Sequence, residues 1–203
     1  MWKESGGIGR TRWARFVGVL GIGAVGAGAL LFGMSQGALA ASFAVSGTNF
    51  KVSADNLTGQ GFVQFGGVDA GAGKTHVVAV SGFKTARLDK FCQSVFVANM
   101  PIVGDITMRI TADGVGGMSA DNLVVNLTDL NGDLVLGNPE IGIDANKVTK
   151  GPENLRGLPG SFGLQADTAN ITSLQQTAWA TTAQTIRFKG MNLTIRQGKQ
   201  ECF

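Results

Sequence analysis

The chain has 203 residues, 44% of them apolar, with 31 Gly, 4 Pro and a formal net charge of +3. That length suits one domain with a sizeable core. The charge sits at one end: the first 40 residues hold Lys3, Arg10, Arg12 and Arg15 against Glu4 alone, which leaves 13 basic and 13 acidic side chains in 41–203. A neutral remainder without a Lys/Arg run lacks the basic face that nucleic-acid binding needs.

In chain order, the first element is a three-part leader. A basic head is followed by an uncharged run from Phe16 to Met34 and a polar stretch that ends Ala38-Leu39-Ala40. This is the plan of a secretory signal peptide, with small residues at −3 and −1 of a cut between Ala40 and Ala41. The expectation is a signal peptide over 1–40 and one β-rich domain over 41–203. The alternative is a retained N-terminal membrane anchor, since the 19 residues from Phe16 to Met34 reach the lower limit for spanning a bilayer. Either way the segment contacts a membrane before any cleavage. Thr11 separates Arg10 from Arg12, so the twin-arginine type is not supported.

From Ser42 onward the apolar period is two. Phe43/Val45, Phe50/Val52, Val63/Phe65, Val78/Val80, Ile106/Met108/Ile110, Ile186/Phe188 and Leu193/Ile195 alternate with polar residues. This predicts a mainly β protein, a single antiparallel β-sandwich or a curved, open β-sheet. Gly190-Met191 shifts the phase, which suggests a bulge or sharp bend. A local pattern recurs four times: Phe50-Lys-Val-Ser-Ala-Asp-Asn-Leu57, Met108–Val115, Ile141–Val148 and Phe162–Ala169, each with Ala followed by Asp or Asn at positions five and six. It reads as a strand reaching a polar corner, where Asp or Asn bonds its own backbone. Asn131-Gly132, between two apolar runs, predicts a hairpin. Residues 146–161, rich in Gly, Pro and polar groups, read as an exposed loop, and 171–184 as a strand.

Cys92 and Cys202 are the two cysteines. In an exported chain they most simply form one disulfide. It would tie the C-terminus to mid-chain and close a loop of about 110 residues, worth about 4–5 kcal/mol in the chain-entropy model. Two separate thiols with His76 as a metal site would lack a fourth ligand.

Catalytic signatures are sparse. No serine has the Gly-x-Ser-x-Gly elbow; Ser161 comes closest, with Pro159 in the first Gly position. His76 is the single histidine and reads as an incidental surface residue at a strand start, with Ser81 five residues on. Ala70-Gly-Ala-Gly-Lys74-Thr75 resembles the end of a phosphate loop but has Val68 where the first Gly belongs. Asp129, Asn131, Asp133 and Glu140 match calcium-loop positions, with Leu134 in place of the turn Gly. No catalytic residue, metal ligand or cofactor site is assigned.

Several segments together resemble a known group of sequences: Ala41–Leu57, Gly61–Val68, Cys92-Gln-Ser94, Gln176–Ala183 and Glu201-Cys202. The chain is similar over nearly its whole length, leader included, to an uncharacterised family of exported actinobacterial proteins that often carry the automatic name "cholesterol esterase". The resemblance implies export and a shared fold and transfers no catalytic residue. Three functions compete. The first is a non-enzymatic, extracellular or envelope-associated protein that binds a lipid or other apolar ligand, with the many Phe residues and Trp179 as aromatic material. The second is a structural, self-assembling surface protein, favoured by neutral charge and exposed strand edges. The third is the esterase of the automatic name. Oligomeric state is left open.

Overall fold

The computed structural model describes residues 48–71 and 74–203. The leader, the Ala40/Ala41 cleavage position and the Phe43/Val45 pair lie outside the described residues. Nine strands follow one another: β1 (Phe50–Gly71), β2 (Lys74–Asp89), β3 (Phe91–Met100), β4 (Gly104–Ala112), β5 (Met118–Gly137), β6 (Glu140–Asp144), β7 (Phe162–Thr182), β8 (Thr185–Phe188) and β9 (Met191–Gln197), with one 3-10 turn at Ala145–Lys147. Every pairing is antiparallel. The mainly β, antiparallel reading of the period-two pattern therefore holds, and the strands make one sheet.

The sheet runs β6-β7-β5-β2-β1-β3-β4-β9, and β7 also pairs with β1. The four long strands β1, β2, β5 and β7 thus form a closed ring. Strands of this length, up to 22 residues, serve two neighbours in tandem on one edge. Along β1, residues 51–53 pair with β3 and 56–71 with β2. Along β7, residues 162–165 pair with β6 and 168–182 with β5.

The ring interior is a single apolar core. Val52, Leu57, Phe62, Phe83, Leu88, Phe91, Met118, Leu123, Ile171 and Leu174 are buried together. Phe62 packs on Phe83 with ring centroids 4.9 Å apart, and Phe91 on Phe188 at 5.4 Å. A smaller cluster of Val63, Phe65, Ala145 and Val148 lies under residues 145–161, with Leu155 packed against it.

The recurrent pattern has a physical meaning that the sequence only half disclosed. Its four alanines, Ala54, Ala112, Ala145 and Ala166, are all buried, at 5%, 0%, 0% and 0% exposure. The Asp or Asn after each, Asp55, Asp113, Asn146 and Asp167, is exposed. At Ala112 and Ala145 the strand ends, as expected of a corner. At Ala54 and Ala166 the strand continues, and the buried positions change phase within the next three residues. A methyl group is what fits where the chain bends over the core, and the polar residue then turns out to water.

Three expectations need correction. Asn131-Gly132 is not a hairpin: β5 runs through it, with a register shift against β7 between Asn131 and Asp133. Gly132 has φ 148 and faces the Thr172 carbonyl where a Cβ would stand. The long partner strand overrides the local turn signal. Gly190 is not inside a strand but in the turn from β8, which pairs with β5, to β9, which pairs with β4. Residues 146–161 do form a loop, but Val148, Gly151 and Pro152 are buried beneath its surface.

Candidate functional site

Strands β3, β4 and β9 leave the ring as a three-stranded arm. Register fixes which side chains share a face. One face carries the rows Val97–Ile106–Gln197, Val95–Met108–Ile195, Gln93–Ile110–Leu193 and Phe91–Ala112–Met191. The other carries Ser94–Arg109–Thr194, Phe96–Thr107–Arg196 and Cys92–Thr111–Asn192.

Burial is inverted relative to this pattern. Ser94 and Thr107 are each only 1% exposed, whereas Met191, Leu193 and Ile195 are 53%, 50% and 62% exposed. The C-terminal tail causes the inversion by lying over the polar face. Thr107 Oγ1 donates to the Gly198 carbonyl at 2.7 Å and accepts from the Gln200 N–H at 3.0 Å. The Cys202 N–H donates to Ser94 Oγ at 3.0 Å. Lys51 Nζ reaches both Glu201, at 3.2 Å, and the Phe203 carbonyl, at 3.0 Å. Burial works against ionisation of the Glu201 carboxyl, but hydrogen bonds from Lys199 and Lys51 outweigh it and hold its pKa below the ordinary value.

Cys92 and Cys202 form the expected disulfide, with Cα atoms 6.0 Å apart across 110 residues of sequence. It fastens the tail to β3, so this covalent link belongs to the same construction. The outward apolar surface is thus built at the β9 end of this face: polar groups are hydrogen-bonded beneath the tail, Met191, Leu193 and Ile195 are left to the outside, and Phe91, Ile110 and Ala112 of the same face pack on the ring core.

Inside the ring, Phe62, Phe83, Phe91, Leu123, Ile171 and Phe188 surround an apolar cavity of about 50 Å³. A cavity of roughly 150 Å³ is needed to hold a benzene ring, so the interior as it stands has no room for an acyl chain. A larger cleft of about 290 Å³ adjoins the disulfide, but Ser53, Asp55, Lys90, Ser173 and Gln175 line it, and Lys90 and Asp55 form an ion pair there.

The remaining sequence candidates are dispersed. His76, half-buried on β2, stacks on Trp179 with ring centroids 3.6 Å apart, which sequence spacing could not foretell. Nearby on the sheet, Asp69 pairs in register with His76, is 6% exposed, and accepts from Asn126 Nδ2 at 3.0 Å. Ser81 is buried and accepts from Gln64 Nε2 at 2.9 Å. Ser161 Oγ donates to the Leu158 carbonyl at 2.7 Å. The structure brings neither serine to His76 by a hydrogen bond among the described residues. Asp129 and Asp133 lie along the extended strand β5, and Glu140 opens β6, where it bonds Lys150 and Gln165. That is not the geometry of a calcium loop. Among the described residues no three His, Cys, Asp or Glu side chains converge as metal ligands, and no helix is long and apolar enough to cross a membrane.

Residues 46–203 match the model of a family of unknown function (DUF6230), and the chain belongs to that family. No curated protein and no solved structure matches it.

Proposed function

We propose, for a member of a family to which no activity is attached, an exported and non-catalytic role: a protein of the cell envelope or exterior that binds a lipid or another apolar ligand on the outward face of β3, β4 and β9. The observation that carries this reading is the exposure of Met191, Leu193 and Ile195 while Ser94 and Thr107 on the opposite face are buried. Three strands about 4.8 Å apart, over six or seven residues at about 3.4 Å each, present at most roughly 300 Å². A standard protein interface takes roughly 800 Å² from each partner. The face is small for a stable protein partner and well matched to hydrocarbon, which gains roughly 0.8 kcal/mol per buried CH₂. The leader and the Cys92–Cys202 bond both suit an oxidising, exported setting. The esterase reading draws no support from His76, whose ring is stacked on an indole.

Organic extraction of natively purified protein followed by mass spectrometry tests the proposal. The expected result is a lipid recovered in stoichiometric amount and lost after Leu193→Asp. Lipid-free protein that binds no added fatty acid or phospholipid would overturn it. A second reading, self-assembly, is favoured by one observation: among the described residues nothing pairs with the outer edge of β9. Its sequence is self-complementary when paired antiparallel about Thr194, since Leu193 then meets Ile195 and Asn192 meets Arg196 without like charges facing. Concentration-dependent association of lipid-free protein would favour that reading.

A further inference from the structure

The turn between β3 and β4 is unusual for a tip surrounded by water. Val97, Ala98, Asn99, Met100, Pro101, Ile102, Val103 and Gly104 are consecutive, all exposed, and none is charged. Ile102 is 105% exposed, Val103 44% and Met100 37%. The turn is also fixed in place. The Asn99 N–H donates to Asp105 Oδ1 at 2.9 Å, and the Gly198 N–H to the Asp105 carbonyl at 2.8 Å. Ile102 has φ 76 and Asn99 φ 55. The left-handed region suits Asn but costs a β-branched residue about 1–2 kcal/mol. Gly or Asn at 102 would relieve that cost, and neither would offer an aliphatic side chain to its surroundings.

We infer that this hairpin tip inserts into the interfacial region of a lipid bilayer, with Met100, Ile102 and Val103 entering the acyl boundary. The inference rests on the apolar-ligand reading above and names its partner as a lipid surface. Two further observations favour lipid over protein. The apolar tip is contiguous in sequence and register with the outward face, whose area is short of what a stable protein interface takes. Two cations, Arg196 and Lys199, stand on the same arm behind the tip. Arg196 is exposed, pairs in register with Thr107, and makes no ion pair among the described residues. Lys199 follows it, 67% exposed, with Glu201 as its partner. Thr107 stands five positions past Ile102, so the guanidinium base lies on the order of 10–15 Å above the tip at about 3.4 Å per residue. An element buried about 5–10 Å below the headgroups would bring Arg196 to their level, where its long stem can carry the charge to the phosphates.

The test is flotation of the whole purified protein with vesicles of phosphatidylcholine alone and of equimolar phosphatidylcholine and phosphatidylglycerol. Wild type should float with both and more strongly with the anionic vesicles. Ile102→Asp should lower the partition coefficient about tenfold or more, the scale of losing one buried aliphatic side chain. Ile102→Trp should float, and its difference emission over wild type, which corrects for Trp2, Trp13 and Trp179, should shift to the blue and be quenched by brominated acyl chains. Equal flotation of wild type and Ile102→Asp, or a difference emission unmoved by vesicles, would overturn the inference. If flotation survives Ile102→Asp but is lost on Ile195→Asp, the apolar face binds lipid and the tip does not insert. If wild type does not float and Ile102→Asp instead dissociates a dimer in sedimentation, the tip's partner is a second copy.

Discussion

The residues that set this fold apart are small ones. Ala112, Ala145 and Ala166 are entirely buried, in places where the chain turns over the core. A larger side chain there must displace its neighbours, and such overpacking costs about 1–3 kcal/mol. Ala166→Leu should lower the urea midpoint accordingly without changing the slope of the transition, whereas the same change at exposed Asp167 should not act through packing. The recurrence of Ala-Asp and Ala-Asn was legible in the sequence, and so was the cysteine pair, because two cysteines allow a single intramolecular partner choice. The burial of the alanines was not legible. A small apolar residue fits a corner, a turn or a surface equally well until the neighbouring strand is placed. The stacking of His76 was hidden for the same reason: its indole partner lies about a hundred residues away in sequence, on β7, and no local rule links the two.

Among the elements, the stretch from Ala145 to Ser161 is held to the ring by polar clamps. Gln165, itself 4% exposed, accepts from the Thr149 and Lys150 N–H groups at 2.7 and 3.1 Å. Lys150 Nζ bridges Glu140 at 3.0 Å and Asp167 at 2.9 Å. Hydrogen bonds from Lys150, and then from Gln165, hold the Glu140 carboxyl below its ordinary pKa. Those from Lys150, and then from Asn138, do the same for Asp167. Lys150 is raised in turn by Asp167 and Glu140. A depressed carboxyl stabilises the fold above its unfolded pKa, near 4, and the contribution disappears as pH falls through the lower folded value. The raised lysine contributes below its unfolded pKa and ceases to do so in strong alkali. Amide exchange in 148–157, corrected for the intrinsic pH dependence, should therefore show protection from neutral pH down to about 4 and lose it below. Lys150→Met should remove that acid step. Strand positions followed from the alternation, whereas strand lengths did not. Asn131-Gly132 would end a free strand, but β5 has β7 beside it over most of its length, and the ladder carries the chain across.

For the whole molecule, the tail and the arm depend on each other. Cys202→Ser should cost about 2–5 kcal/mol and free the tail from Ser94 and Thr107, which a fall in thermal midpoint with faster exchange in β4 and β9 would report. The mainly β class was written in the period of two, but the closure was not. Each strand's alternation says that it has two faces and nothing about which strand lies beside it. That β7 returns to β1, with Phe50 opposite Ala178 and Phe65 opposite Gly163, has a consequence in time. The contacts that close the ring join segments roughly a hundred residues or more apart, and folding dominated by such distant pairings runs in milliseconds to seconds. Until β7 is present, β1 has an open edge, so a growing chain cannot finish its core from the N-terminal end. Cys202 lies beyond β9 and arrives later still. Its oxidation with Cys92 therefore follows the arrival of every strand from β1 to β9, so the bond is made on a chain that can already close the ring.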